Sequence, residues 1–507
     1  MPKKKIIKKP VKQKKEKVLP PKPVVAAVAP VPEKAKEPLQ TPRGMRDILP
    51  AEAPLWQFVK EKAVALCHAF GYGRIETPIL ELKQLYVRGV GEVTDVVQKE
   101  MYVFKDQGGD ELCLRPESTA AVARAYINHG MINLPQPVKL WHLGPMFRRD
   151  RPQAGRFRQF HQWSLEALGD VHPVLDAEVI SIAMSFMKDC GLSVSLEINS
   201  IGCEQCRGAY KNELRRFYTP KRELLCETCK VRLEANVMRL LDCKESQCEL
   251  LREGAPQLPD ALCEPCREHF MHVLEYLEDG EISYTINPFI VRGLDYYNRT
   301  VFEIFPAAVA QADTKPDVKE DVSVGEEQKA EQPKEEIQPQ EKGRQSALGG
   351  GGRYDGLIEQ LGGRPTPGVG FSIGLERVIA CLKAKGHVLN DPHAPRIFIA
   401  QLGEGARRKA LTLWHSLRNE VPAAASLSKD GLKAQLEIAN RLGVRFAVII
   451  GQKEIIDHTA IIRDMEAGMQ EVINYNRLVA DIKKKLGYPI IPVVVPDASQ
   501  EKGGAET

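Results

Sequence analysis

Polar and apolar side chains alternate along residues 157–166, and this period of two predicts a β-strand. Strand geometry places five side chains on one face of it: Arg158, Phe160, Gln162, Ser164 and Glu166. A guanidinium, an aromatic ring, an amide and a carboxylate would together form a poor hydrophobic core. The pattern therefore predicts that this face lines a ligand site.

A basic loop, residues 148–156, joins this strand to the apolar run 140–147, and Pro152 and Gly155 are its turn residues. Most loops of this kind are solvated hairpin tips. The polar face of the strand that follows favours a second interpretation, in which the loop borders the same ligand site.

The spacing of apolar residues predicts further elements along the chain. Helices are expected over 51–70 and 174–190, a short strand over 193–198, and a longer strand-like run from Tyr284 onward. From residue 395 to about residue 485, short apolar strands alternate with helices. This last pattern predicts a separate α/β domain of about 90 residues.

Charge is segregated along the 507 residues, although the net charge is only +4. Residues 1–42 contain 12 lysines and 3 glutamates, and residues 307–343 contain 10 acidic residues and 5 lysines. The first segment predicts a disordered tail, with a basic arm that touches nucleic acid as the alternative. The acidic segment, taken as 306–345, predicts a disordered insertion.

Targeting segments are not expected in this chain. No run of about 18 apolar residues is present, so no membrane span is predicted. The first 42 residues lack arginine and an apolar stretch with a cleavage-like site, which argues against a secretory signal and a transit peptide. A cytoplasmic location is therefore expected.

Eight of the 12 cysteines fall in four close pairs between residues 203 and 266: Cys203 and Cys206, Cys226 and Cys229, Cys243 and Cys248, and Cys263 and Cys266. Two thiolates in a tight turn make half of a tetrahedral Zn²⁺ site, so eight cysteines suffice for two structural centres. The alternative is a set of reduced, partly buried thiols in a helical domain. Which pairs combine is left open by the sequence.

Three charged residues stand out elsewhere. Glu117 follows a strand and either points into a pocket or sits beside a helix that Ser118 or Thr119 caps. Arg292 lies among apolar residues, so it should face a carboxylate or an anionic ligand. Arg377 is expected in the first turn of a helix, where it could clamp a phosphate or pair with an acid.

Four consecutive glycines, 349–352, would allow close approach of another backbone.

Several motifs in chain order resemble those of histidyl-tRNA synthetases, which are class II aminoacyl-tRNA synthetases. FRRDRP with RFRQFHQWSLE is similar to motif 2, RGLDYYNRTVFE and GGRYDGL to the two histidine-specific signatures, and GVGFSIGLER to motif 3. IETP at 75–78 is similar to the weaker motif 1. The resemblance covers residues 43–305 and 346–485.

This resemblance implies an α+β catalytic domain, an antiparallel sheet flanked by helices, with a helical insertion domain and a C-terminal α/β anticodon-binding domain. The implied segments are a tail (1–42), the catalytic domain in two parts (43–170 and 281–390), the insertion with the cysteine pairs (171–280), the anticodon-binding domain (395–485) and a second tail (486–507). Family members are homodimers built through motif 1.

The resemblance also implies roles for individual residues. Arg148 would hold the α-phosphate of ATP, Phe160 would stack on adenine, Arg377 would contact the γ-phosphate, and Arg292 would be catalytic together with Arg148. Seven residues would line the histidine pocket: Glu117, Thr119, Gln162, Glu166, Tyr296, Tyr297 and Tyr354. The implied readers of the acceptor end of tRNA(His) are Arg151, Gln153 and Arg156.

The implied activity is the ATP-dependent attachment of L-histidine to its tRNA through histidyl-adenylate, with Mg²⁺ as cofactor. Many family members lack the cysteine pairs of the insertion, so Zn²⁺ there is expected from the cysteine spacing alone, and its role would be structural. Asp150 departs from the glutamate usual in motif 2, which puts its contact to adenine in question. Two other functions fit parts of the sequence. A non-catalytic regulatory subunit of the first enzyme of histidine biosynthesis shares the fold but typically lacks the anticodon-binding domain, and a zinc-dependent RNA-binding module would leave the arginine motifs unexplained.

Overall fold

The computed structural model describes residues 38–150, 155–307, 347–387, 391 and 394–487. Most of the predicted N-terminal tail, the loop residues Arg151 and Gln153, almost all of the acidic insertion and the last twenty residues lie outside the described residues.

The described part of residues 43–170 combines three α-helices with six strands. In chain order they are α1 (Ala53–Ala69), β1 (Gly73–Arg74), β2 (Leu80–Leu82), α2 (Lys83–Val90), β3 (Tyr102–Lys105), β4 (Glu111–Leu114), α3 (Thr119–Asn128), β5 (Val138–Phe147) and β6 (Gln159–Leu168). Strands β5 and β6 pair antiparallel, with Met146 opposite Phe160, as the alternating pattern predicts.

Helices dominate the middle of the chain. The helices are α4 (Pro173–Asp189), α5 (Glu204–Tyr218), α6 (Glu227–Ala235), α7 (Ser246–Arg252) and α8 (Glu264–Asp279). Strand β7 (Val194–Ser200) lies between α4 and α5. Three of these helices begin directly after a cysteine, because Cys203, Cys226 and Cys263 occupy the N-cap positions of α5, α6 and α8.

After the helical middle, the chain returns to the sheet with β8 (Tyr284–Ile286), β9 (Asn298–Pro306), β10 (Gly349–Arg353), α9 (Leu357–Gln360), β11 (Gly368–Gly374) and α10 (Leu375–Ala384). The eight-stranded sheet has the order β1-β5-β6-β11-β10-β9-β7-β8. Its pairs are antiparallel except β1 with β5 and β7 with β8. A separate three-stranded sheet has the order β2-β4-β3.

Two expectations for this part are wrong. The strand-like run from Tyr284 is interrupted, and Arg292 lies in a loop between β8 and β9 rather than in a strand. The predicted insertion overlaps the sheet at its start, because β9 extends through Pro306, where it still pairs with β7.

The glycine strand β10 lies between β9 and β11 in the middle of the sheet. A Cβ atom added at Gly351 would fall 2.0 Å from the carbonyl oxygen of Gly370. The four glycines therefore permit a close approach of backbones, as the sequence predicts.

A hydrophobic core joins one face of the sheet to helices α1, α4, α8 and α10. At its centre the buried ring of Trp163 packs 4.7 Å from Phe186 and 4.9 Å from Phe371, measured between ring centroids. Because neighbouring residues of a strand point to opposite faces, Gln162, Ser164 and Glu166 face away from this core.

The C-terminal region is an α/β domain with its own core. Its elements are β12 (Ile397–Gln401), α11 (Glu404–Leu417), β13 (Ala423–Ala425), α12 (Leu432–Arg441), β14 (Phe446–Ile450), α13 (Gln452–Ile456), β15 (Thr459–Asp464), β16 (Gln470–Asn474) and α14 (Leu478–Leu486). The sheet order is β13-β12-β14-β15-β16, parallel at its first three strands and antiparallel beyond them. Within the described residues no helix is long and apolar enough to cross a membrane.

Candidate active site

A polar cleft of about 360 Å³ opens on the face of the sheet that lies away from the helical core. It brings together the basic loop, strand β6, the glycine strand β10, the start of α10 and the loop that carries Arg292. Nine of the predicted site residues line it: Glu117, Arg148, Arg156, Phe160, Gln162, Arg292, Tyr296, Tyr297 and Arg377. Phe157 also lines the cleft, whereas alternation alone had placed it on the opposite face.

Glu166 is the centre of a buried hydrogen-bonded cluster. The hydroxyl of Thr119 donates to its Oε1 at 2.7 Å, and the phenol of Tyr354 donates to its Oε2. Burial raises the pKa of Glu166 to about 8, although these two hydrogen bonds oppose the rise. Glu166 therefore retains a proton near neutral pH in the protein alone.

Glu117 caps helix α3. Its carboxylate accepts hydrogen bonds from the backbone N–H groups of Thr119, at 2.6 Å, and Ala120, at 3.0 Å. The side chain of Ser118 makes no such bond to the helix and instead donates to Ser164 at 2.8 Å. Of the two alternatives from the sequence, side-chain capping by Ser118 or Thr119 is not observed, and Glu117 borders the cleft. Glu117 also caps the helix itself.

Three tyrosine rings stand against this cluster. Tyr296 lies 4.6 Å from Tyr297 and 5.7 Å from Tyr354, measured between ring centroids, and all three are buried. Beside them, the buried Oε1 of Gln162 has no hydrogen-bond partner among the described residues. A buried acceptor without a partner is costly, so this oxygen is available to a donor on a ligand.

Arg292 reaches into the cleft from its loop. Its Nη1 donates to Oε1 of Glu303 at 2.6 Å, which confirms that this arginine faces a carboxylate. The guanidinium also lies 5.5 Å from the centroid of the Tyr297 ring, while its buried Nε has no partner among the described residues. One edge of the guanidinium is thus anchored, and a donor remains unused.

Arg148 and Arg377 also line this space. Arg148 is fixed by a bond from its Nε to the carbonyl oxygen of Pro116, at 2.9 Å, and lies 5.6 Å from the ring centroid of Phe160. Arg377 donates to the carbonyl oxygens of Gly155 and Ala347. Burial lowers the pKa of Arg377, and neighbouring guanidiniums lower it further. Arg377, Arg148 and Arg156 repel one another, and an anion bound between them would relieve that repulsion.

The basic loop is described only at its two ends. Asp150 forms an ion pair with Arg156 at 2.9 Å, and both residues line the cleft. The backbone N–H of Arg148 donates to the carbonyl of Arg158, which extends the hairpin beyond β5 and β6.

Several cleft residues escaped the sequence reasoning. Glu303 is a lone acid in an apolar strand and could have been found by the same argument that singled out Arg292. Glu376 accepts two hydrogen bonds from His161, one from the backbone and one at Nδ1, a pairing over 215 positions that no local pattern reveals. Asp95 and Arg239, paired at 3.2 Å, likewise carry no sequence signal.

The cysteine pairs assemble into two clusters outside the cleft. Cys203 and Cys206 meet Cys263 and Cys266, while Cys226 and Cys229 meet Cys243 and Cys248. In each cluster all four sulfur atoms lie within 4.8 Å of one another, and none of the eight cysteines is in a disulfide. The outer two pairs of the sequence thus form one cluster and the inner two form the other.

Comparison of this sequence with known proteins identifies the family to which the chain belongs. A sequence model described as histidyl-tRNA synthetase matches residues 44–313, and one described as an anticodon binding domain matches residues 396–485. The histidine–tRNA ligase of Dehalococcoides mccartyi strain 195 is 43% identical over 449 residues, which cover 88% of this chain and all of that protein. The chain belongs to the histidyl-tRNA synthetase family. A second ligase of this family, from Pelotomaculum thermopropionicum, is also 43% identical, over 88% of this chain and 97% of its own length.

Solved structures agree with this membership of the family. The apo histidyl-tRNA synthetase of S. aureus has 33% sequence identity and a TM-score of 0.68, and the match covers 88% of this chain and all of that one. A Bacillus halodurans protein described as an ATP phosphoribosyltransferase regulatory subunit/histidyl-tRNA synthetase shares the fold, with a TM-score of 0.55 at 20% identity. The predicted fold class, a class II catalytic domain with a C-terminal anticodon-binding domain, is confirmed.

Proposed function

We propose that this chain is a histidine–tRNA ligase that activates L-histidine with ATP as histidyl-adenylate and then transfers the histidyl group to tRNA(His). The observation that carries the proposal is the shared cleft, in which five arginines border the same space as the buried carboxylate of Glu117 and the rings of Tyr296 and Tyr297. The first group suits a polyphosphate, and the second suits a small polar amino acid. The ligases of the same family support it further.

ATP would occupy the basic side of the cleft. Arg148 would hold the α-phosphate, Phe160 would stack on adenine, and Arg377 would contact the γ-phosphate. The glycine strand supports this arrangement, because a Cβ at Gly350 would lie 2.8 Å from Nη1 of Arg292 and narrow the space. Mg²⁺, when bound with ATP, would neutralise phosphate charge, and the carboxylates of Glu303 and Glu376 in the same cleft are suitable oxygen ligands.

Histidine would occupy the buried side. Its imidazole presents ring nitrogens that need both a donor and an acceptor, and the free Oε1 of Gln162 offers an acceptor. Glu166 with Tyr354, and Glu117 with Thr119, would complete the pocket beside Tyr296 and Tyr297. Look-alike amino acids without matching groups would leave these buried polar atoms unpaired, which is the physical basis of selection.

The first chemical step joins a carboxylate oxygen of histidine to the α-phosphorus and breaks the bond to the leaving pyrophosphate. Charge on the α-phosphate must be neutralised as the oxygen approaches, and Arg148 and Arg292 would supply that stabilisation. Arg292 is suited to this role because its anchored guanidinium lies against Tyr297 in a mostly buried setting. In the second step a terminal ribose hydroxyl of tRNA attacks the histidyl carbonyl, and AMP leaves.

The remaining partners follow from the family. The domain matched at 396–485 would bind the anticodon, and Arg156, with Arg151 and Gln153, would read the acceptor end of tRNA(His). We expect a homodimer in the cytoplasm. Asp150 is held by Arg156, so we assign it to the position of the loop rather than to adenine. Zn²⁺ in the insertion would be structural, since no cysteine among the described residues lines the cleft.

Histidine-dependent exchange of labelled pyrophosphate into ATP tests the proposal with the purified chain. We expect exchange with L-histidine and none with L-glutamine as a polar control, followed by charging of tRNA(His) in the presence of both substrates. A regulatory paralogue would bind histidine without exchange, and an RNA-binding module would do neither. Absence of exchange in a folded, histidine-binding chain would contradict the proposal.

A further inference from the structure

We propose that the insertion contains two tetrathiolate Zn²⁺ centres that act as anchors for the loop 292–297, so that metal binding positions the groups recognising histidine. The first centre is made of Cys203, Cys206, Cys263 and Cys266, and the second of Cys226, Cys229, Cys243 and Cys248.

The sulfur spacing fits a tetrahedral metal in both clusters. Four thiolates at 2.3 Å from one Zn²⁺ ion lie about 3.8 Å from each other. The sulfur of Cys203 lies 3.6 Å from that of Cys206 and 3.9 Å from that of Cys263, and the sulfur of Cys226 lies 3.8 Å from that of Cys243. A disulfide requires about 2.05 Å, so these pairs are not oxidised cystines.

Backbone N–H groups donate hydrogen bonds to three of the sulfur atoms, as expected for thiolates. The N–H of Cys263 donates to the sulfur of Cys206 at 3.2 Å. In the other cluster, the N–H of Cys226 donates to the sulfur of Cys248 and that of Cys229 to the sulfur of Cys226, both at 3.4 Å. Such outer-shell hydrogen bonds orient ligands and offset the negative charge of a tetrathiolate centre.

The first centre connects to the histidine-recognition loop through Arg207, the residue after Cys206. Its Nη1 donates to the carbonyl oxygen of Tyr297 at 2.8 Å and to that of Asp295 at 3.5 Å. The backbone N–H of Arg207 in turn donates to the carbonyl of Cys203, within the turn that holds the metal ligands. A displaced turn would therefore move the support of Tyr296 and Tyr297.

The second centre connects to the other side of the same loop. Asn236, between Cys229 and Cys243, donates to Oδ1 of Asp295 at 3.3 Å. Two arginines of the same stretch, Arg232 and Arg239, donate to Oδ2 of Asp95 at 3.0 and 3.2 Å. Asp95 and Arg239 line the cleft themselves. The first centre thus connects to the loop at the carbonyl oxygens of Asp295 and Tyr297, and the second at the carboxylate of Asp295.

Metal content tests the centres without reference to activity. The full chain, purified without chelators from zinc-supplemented cells, should contain two Zn²⁺ per chain by elemental analysis. Cys206→Ser and Cys229→Ser should each retain one, and the control Cys381→Ser, at a half-buried cysteine outside both clusters, should retain two. Should a serine variant not fold, mercurial titration of the wild type should release two Zn²⁺. Zero or one ion, iron in place of zinc, or disulfides within the clusters would overturn the proposal.

Arg207 tests the anchoring, and this part rests on the proposed ligase function. Arg207→Ala should raise KM for histidine in pyrophosphate exchange about tenfold with a smaller change in KM for ATP, while two Zn²⁺ remain bound. Arg207→Lys should recover part of the loss, and Arg216→Ala, exposed on the same helix, should behave as wild type. An unchanged KM for histidine with Arg207→Ala would overturn the anchoring. Lack of exchange by the wild type would instead contradict the ligase function and leave the metal count valid.

Discussion

The catalytic cleft and the cysteine-containing insertion fix their functional side chains by different physical means. In the cleft, strand register does so: Glu166 lies opposite Gly370, and Gln162 opposite Gly374, in a continuous antiparallel ladder. In the insertion, helices α6 and α7 have only nine and seven residues, shorter than helices that are stable alone. The helices of the insertion are held instead by buried apolar side chains such as Leu214 and Leu233, and the proposed metal centres would add a link at the N-caps of α5, α6 and α8.

This difference teaches where each region should be sensitive. The middle of the sheet leaves no space for a Cβ at Gly351, whereas we expect the cleft to keep its fold when it loses a charged side chain. The insertion has space for a Cβ at Gly208, and we expect its geometry to depend on the proposed metal ligands. Substitutions that separate chemistry, packing and helix propensity can break or sharpen this contrast.

The largest expected effect is chemical. Arg292→Ala should lower the rate of adenylate formation about 10³-fold, because it removes a preorganised charge where negative charge develops. Histidine binding should remain nearly intact, since the pocket around Glu166 does not include this guanidinium. Single-turnover kinetics and equilibrium binding of histidine measure the two effects.

Arg441→Ala, at an exposed arginine of helix α12, is the matched control and should leave both quantities unchanged. A near-normal rate for Arg292→Ala would refute the role of Arg292. Loss of histidine binding together with the rate would instead indicate that the cleft depends on this side chain for its fold.

The next effect concerns packing in the sheet. Gly351→Ala should lower the free energy of unfolding of the catalytic domain by about 3 kcal/mol, because the new Cβ meets the Gly370 carbonyl, a backbone atom that cannot rotate away. Urea unfolding measured by tryptophan fluorescence reports it. Gly73→Ala in the edge strand β1, where the nearest atom lies 3.7 Å away, should cost far less. Equal costs at the two positions would contradict the importance of close approach.

Sequence reasoning reached nine of the residues that line the cleft, and where it did so without the family resemblance it used local signals. Alternation over 157–166 identified Gln162 and Glu166, and the cost of a lone buried charge identified Arg292. The same reasoning placed Arg292 in a strand, because apolar composition does not distinguish a buried loop from a strand. The pairing of the cysteines could not be predicted, since every combination of pairs supplies four thiolates. The contacts of Asp95 join distant parts of the chain and leave no periodic trace.

The third effect is a pH dependence of the unfolding free energy that is caused by the buried carboxyl group of Glu166. Glu166 has a pKa of about 8 in the folded protein against an ordinary value of 4.5. The folded state therefore holds an extra proton between these values, and its stability falls as pH rises from about 4.5 through 8. Glu166→Gln removes this dependence. The difference in unfolding free energy, wild type minus Glu166→Gln, should fall by about 2 kcal/mol from pH 5.5 to 7.5.

Urea unfolding of both proteins at several pH values measures that difference and cancels the titration of all other groups they share. A constant difference across this range would show that Glu166 is ionised in the folded protein.

The smallest expected effect is a stabilising substitution in the insertion. Gly208 lies inside helix α5, and a Cβ added there meets no atom within 4 Å. Gly208→Ala should therefore stabilise the helix by about 0.5–1 kcal/mol, since alanine loses less backbone entropy than glycine. Resistance to limited proteolysis within residues 203–266 should increase. The increase should be larger after chelation of zinc, because helices without bound metal depend more on their own helix propensity. A loss of resistance would mean that this region is packed as tightly as the sheet, and the contrast between the two regions would fail.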